Sequence, residues 1–137
     1  SMNWREKRDD PVWFEFVGRT LCADEECGDW TDHHFSIESG NALSQKWVVT
    51  GDEHYATGLN VCTSGSGKIK GVRLWGARIR ADRTLQSSER QEFTRLNCRN
   101  WHGAVHCPNN AVIVGLRAHH AEDKGFVGLS IRCGRVV

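Results

Sequence analysis

Residues 107–133, CPNNAVIVGLRAHHAEDKGFVGLSIRC, are the stretch whose reading decides the fold. A Cys-Pro and an Asn-Asn turn lead into Ala111, Val112, Ile113, Val114, Gly115 and Leu116. A polar patch follows, with His119, His120, Glu122, Asp123 and Lys124, and Gly125 breaks it. The chain then returns through Phe126, Val127, Gly128, Leu129, Ser130 and Ile131 to a second cysteine. Two short β-branched or aromatic runs joined by a Gly-containing polar loop read as antiparallel strands. In the returning run Phe126 has one parity and Leu129 and Ile131 the other, which predicts a bulge or bend near Gly128. A cysteine at each end allows a disulfide to staple the unit shut.

The preceding stretch matches it. Cys62 reaches Gly71 in nine positions, and Cys107 reaches Gly115 in eight. Around those glycines, Ile69-Lys70-Gly71-Val72-Arg73-Leu74 lies over Ile113-Val114-Gly115-Leu116-Arg117-Ala118. At the far end, Phe93-Thr94-Arg95-Leu96-Asn97-Cys98 lies over Phe126 through Cys133. Both units have the form Cys, small turn, I-x-G-[VL]-R, polar return, Leu, Cys, which is the signature of an internal repeat.

That pattern resembles the vitelline membrane outer layer protein family, with Trp101 six residues before Cys107 and the Cys107-Pro108 pair also fitting. The resemblance covers roughly residues 55–133 and the N-terminal third only loosely. Where the family carries an acidic run before its last strand, Glu122-Asp123-Lys124-Gly125 stands here. The resemblance implies a β-prism, three antiparallel sheets around a pseudo-threefold axis, as in jacalin-like lectins and beside some pore-forming domains. The expected fold is thus one all-β, β-prism-like domain over residues 1–137, with repeat-like units of about 12–54, 55–98 and 99–137.

Six cysteines are present and no C-x-x-C occurs; successive gaps are 5, 35, 36, 9 and 26 residues. Structural zinc prefers two close pairs, so disulfides in a secreted or periplasmic protein are the better expectation. Only the repeat narrows the fifteen possible pairings. It suggests Cys62–Cys98 and Cys107–Cys133, leaving Cys22 and Cys27 to each other by elimination.

Length and composition set the outer bounds. A chain of 137 residues is one ordinary domain, able to bury roughly 70% of its unfolded surface. With 18 basic and 17 acidic side chains, no global field favours nucleic acid or an anionic membrane. No run of about 18 apolar residues suggests a transmembrane segment, no signal-peptide pattern opens the chain, and Ser1-Met2 has the look of a cleavage scar. Fourteen glycines and many short β-type runs argue all-β.

The first residues, Arg5 through Asp10, are polar and read as solvated. The run VWFEFVGRTL from Val12 is apolar on both parities and reads as a strand crossing the core. Strands are also expected around Phe35 and Ile37 and over residues 45–50. The acidic loop with Asp24, Glu25, Glu26, Asp29 and Asp32 has oxygen ligands for calcium but no D-x-D-x-D-G, so a solvated loop is the plainer expectation. Residues 63–67 are glycine-rich without a following Lys-Ser/Thr or helix, hence a hairpin loop and not a phosphate cradle. Residues 80–92 carry Arg80, Arg83 and Arg90 interleaved with Asp82, Glu89 and Glu92. They read as an exposed loop or wide hairpin, with an anion or glycosaminoglycan site as the sharper alternative.

Neither His33-His34 nor His119-His120 suits a shared metal, because neighbours on a strand point to opposite faces. No cofactor and no metal is expected. No G-x-S-x-G occurs, and fully oxidised cysteines leave no thiolate nucleophile. A carboxylate-dependent hydrolase is the one enzymatic alternative, and its carboxylate separation is not a property of sequence. Six tryptophans are spread along the chain. Trp101 is expected in the core, whereas Trp30 sits in a polar loop between Asp29 and Thr31-Asp32. An aromatic ring beside carboxylates suits sugar recognition: the ring covers C–H faces and the acids bind hydroxyls. The candidate binding residues are therefore Asp29, Trp30, Asp32, His119 and Asp123, in the loops at residues 28–34 and 119–125. The expected function is a non-catalytic, lectin-like module that binds a glycan or cell-surface glycoconjugate. The alternative is a protein-interaction, surface-coat or targeting module of a larger secreted protein or pore-former.

Overall fold

The computed structural model describes residues 2–7, 10–19, 32–38, 44–48, 54–87, 90–122 and 125–136, with side chains for Met2, Asp10 and from His54 onward. Among these residues there is no helix, and all strand pairing is antiparallel. No helix among them is long and apolar enough to cross a membrane.

The strands form three sheets. The first holds β1 (Met2–Lys7), β2 (Asp10–Arg19), β3 (Asp32–Glu38) and β4 (Ser44–Val48) in the order β3-β2-β1-β4. The expected strands after Val12, around Phe35 and after Gln45 are all here. The polar N-terminus departs from expectation. It is strand β1, inside the sheet between β2 and β4, and Met2 is buried at 1% exposure. Ladder hydrogen bonds from two neighbours hold β1 there, an interaction that hydropathy does not register.

The second sheet is built on β5 (His54–Thr63) and β6 (Ile69–Ile79). Outside β6 lie β7 (Leu85–Ser87) and β8 (Gln91–Thr94); along the free edge of β5 lie β9 (Asn100–Trp101) and β10 (Val105–His106). The third is the hairpin β11 (Ala111–Ala121) and β12 (Gly125–Arg135). Each sheet touches the other two: β5 meets β11 and β12, β2 meets β12 and β6, and β4 meets β6 and β8. One core results. Met2 comes from the first sheet, Leu59, Val61, Ile69, Val72 and Leu74 from the second, and Phe126 from the third.

Bulges make that core possible. In β12 the pairing steps from His119↔Gly128 to His120↔Phe126, so Val127 is an extra residue. It brings Phe126 onto the side of Leu129 and Ile131, as the parity break near Gly128 predicts. The I-x-G repeat is the same device used twice. Pairing steps from Ile69 to Gly71 and from Ile113 to Gly115, leaving Lys70 and Val114 as the extra residues. Isoleucine and the apolar residue three positions on thereby share the core face: Ile69 with Val72, and Ile113 with Leu116. The extra residues differ in fate. Val114 is 61% exposed, whereas Lys70 is 2% exposed. The Lys70 ammonium is hydrogen-bonded to Asp10 at the start of β2, which Lys68 also reaches at 2.9 Å. Burial pushes the Asp10 carboxyl up, but hydrogen bonds and charge from the two lysines outweigh it and hold the group below its ordinary range.

Both hairpins of the second sheet close with the same loop. Ser64 N–H donates to Lys68 O at 2.9 Å and Gly67 N–H to Ser64 O at 3.0 Å. Likewise Arg80 N–H donates to Thr84 O at 2.9 Å and Arg83 N–H to Arg80 O at 2.8 Å. This is the three-residue hairpin whose last position needs a left-handed backbone. Gly67 fills it at φ 87° without cost, while Arg83 fills it at φ 65°, against a steric penalty of about 1 kcal/mol or more.

Cys62–Cys98 and Cys107–Cys133 are bonded, each with Cα atoms 5.6 Å apart, so each repeat closes on itself. Cys22 and Cys27 lie outside the described residues, and no described cysteine is free. The repeat match is looser at its end, because Leu96 is fully exposed on a turn while Leu129 packs against the core.

Candidate ligand-binding site

Along β6 the residues alternate. Val72 and Leu74 enter the core, so Arg73 and Trp75 stand on the opposite face of the second sheet. Cross-strand register gathers three rows there, since directly paired residues share a face. One row is His106, Gly58 and Trp75; the next is Asn60, Arg73 and Glu92; the third is Trp101, Cys62, Gly71 and Thr94. Two half-buried tryptophans thus flank an arginine and a glutamate.

The contacts between rows are specific. The Arg73 guanidinium lies over the Trp101 ring, 3.7 Å from its centroid, a stacked cation–π arrangement. Its Nε donates to Glu92 Oε2 at 2.5 Å, which fixes the side chain. Arg90 Nε stands 4.0 Å from the same carboxylate oxygen. At the other end the His106 ring meets Trp75 edge-on, with centroids 4.8 Å apart. Glycine at position 58 is what permits this, because a Cβ there would lie 2.3 Å from His106 Nδ1. Asn60 is 8% exposed; its Nδ2 donates to His102 O at 3.1 Å, while its buried Oδ1 has no hydrogen-bond partner. A cavity of about 210 Å³ lies alongside, between the chain at His102, Gly103 and Val105 and the β12 residues Val127 and Leu129.

Expected core residue Trp101 therefore belongs to this face instead: it pairs with Cys62, on the parity opposite Val61. Asp29, Trp30 and Asp123 lie outside the described residues. Asp32 opens β3 with its backbone opposite Arg19, and its side chain is outside what is described. His119 is exposed on β11, its Nε2 2.6 Å from Ser130 Oγ. His120 instead meets the Phe126 ring edge-on at 5.7 Å. Asp32 and His119 belong to different sheets. Among the described residues, no group of three or more His, Cys, Asp or Glu side chains is placed to hold a metal. Arg73, Trp75, Glu92 and His106 were not expected from sequence. The local signal for two of them is the Val72-Arg73-Leu74-Trp75 alternation, in which a tryptophan shares the parity of an arginine.

No protein-family model, curated protein or solved structure matches this chain.

Proposed function

We propose that this chain is a non-catalytic glycan-binding module of a secreted or periplasmic protein, with a β-prism-like arrangement resembling the vitelline membrane outer layer family. Three mutually packed antiparallel sheets around one core support the architecture. Two disulfides support an oxidising compartment. The observation that carries the function is Arg73, held between the Trp101 ring and the Glu92 carboxylate with Trp75 beside it. A half-exposed indole offers its face to the C–H groups of a sugar ring. A fixed guanidinium and carboxylate offer a donor and an acceptor to neighbouring hydroxyls. The same groups are preorganised, so little side-chain entropy is lost on binding.

A glycan array probed with wild type and Trp75→Ala tests the proposal. Saturable binding to one sugar class, lost in the variant while the melting temperature stays within a few degrees, is the expected result. A blank array together with capture of a protein partner would favour the interaction or surface-coat alternative, and release of new reducing ends would favour a hydrolase.

A further inference from the structure

We infer that the glycan is anionic and that Arg83, with Arg80 beside it, contacts its sulfate or carboxylate groups at the tip of the β6–β7 hairpin; this rests on the glycan reading above. The two hairpin loops of the second sheet share one hydrogen-bond pattern, and only one of them satisfies its left-handed position with glycine. Arginine at that position is a poor choice for the backbone. Relief would come from a single change to glycine, so the side chain, not the main chain, accounts for the residue.

The surroundings suit an anion. Arg80 and Arg83 are both exposed, and the Arg83 guanidinium makes no ion pair among the described residues. Glu89 lies outside the described residues, and the other two interleaved acids, Asp82 and Glu92, each have a partner close by. Asp82 Oδ1 accepts from Thr84 Oγ1 at 2.6 Å and Thr84 N–H at 3.0 Å, which brace the loop. Those hydrogen bonds hold the Asp82 carboxyl below its ordinary range. Glu92 is engaged by Arg73. Asp82 stays ionised beside Arg80, so the tip over residues 80–84 carries two guanidiniums against one carboxylate and is basic by one charge. At about 3.3 Å per residue, Trp75 and Arg80 are roughly 17 Å apart along β6. A ligand touching both is an oligosaccharide chain, not a single sugar.

The test is affinity for a heparin-derived oligosaccharide and for the same oligosaccharide desulfated, measured with wild type, Arg83→Gly and, as a charge control on the third sheet, Arg117→Ala. Arg83→Gly is expected to raise the melting temperature by roughly 2–5 °C by relieving the backbone. It is expected to weaken binding of the sulfated ligand about three- to tenfold and to flatten its salt dependence. Arg117→Ala should leave both unchanged. Unchanged affinity in Arg83→Gly, an equal loss in Arg117→Ala, or a lowered melting temperature in Arg83→Gly would each overturn the inference. If wild type binds the desulfated ligand as tightly as the sulfated one, this inference fails while the glycan reading stands. If it binds neither ligand and no glycan on the array, both fail together.

Discussion

Truncating Phe126 probes whether the three sheets share one core. The side chain is 2% exposed on β12, clustered with Met2 of the first sheet and with Leu59, Val61, Ile69, Val72 and Leu74 of the second. Replacement by alanine removes the ring and leaves a cavity that β-sheets on three sides cannot easily collapse around, a loss of about 3–5 kcal/mol. An unfolding entropy of about 2.1 cal/mol/K per residue converts this, for a chain of this length, into a melting-temperature drop of roughly 10–17 °C. Calorimetry on the oxidised protein measures it directly. Val114→Ala is the control: at 61% exposure it should change stability by less than about 0.5 kcal/mol. A double-mutant cycle with Leu59→Ala should return a coupling of about 0.5–3 kcal/mol, because both side chains belong to one cluster. A drop for Phe126→Ala no larger than the control's, with no coupling to Leu59, would refute a common core and leave the β11–β12 hairpin as an appendage.

The disulfides make a second expectation. Peptide mapping without reduction should recover Cys62–Cys98 and Cys107–Cys133, and replacing either pair by serine should cost about 3.5–4 kcal/mol; a peptide joining the two repeats would contradict their separate closure. Asp10 makes a third. Its folded pKa lies below its ordinary value of 3.8, so its contribution is complete above that value and is lost as pH falls through the folded pKa. Asp10→Asn should therefore melt below wild type at pH 7, with the gap closing as pH falls through the folded pKa. A gap independent of pH would mean that the Lys68 and Lys70 pairing is not its source.

Much of the fold was legible because it is written in local signals. The parity break between Phe126 and Leu129 marks the Val127 bulge, and the glycines of residues 63–67 mark a hairpin loop. The Cys-bounded repeat marks both described disulfides. The I-x-G motif was visible as a repeat, yet its physical cause, a bulge that puts residues i and i+3 on one face, emerges only from the register. Strand β1 was illegible because two neighbouring strands support it, not its own hydropathy. The proposed binding face was illegible for a related reason. Arg73, Glu92, Trp101 and His106 come from four strands and meet only through cross-strand pairing. An aromatic next to acids in a loop, as at Trp30, is a contiguous pattern and draws the eye; an aromatic opposite an arginine on a neighbouring strand is not contiguous and does not.

The six indole N–H signals of the protein offer the most direct test of where a ligand sits. In a titration with the best sugar from the array, followed by NMR and assigned by single Trp→Phe changes, Trp75 and Trp101 are expected to shift saturably with one shared dissociation constant. A saturable shift of Trp30, with Trp75 and Trp101 unmoved, would return the site to the loop at residues 28–34 and contradict a binding face on the second sheet.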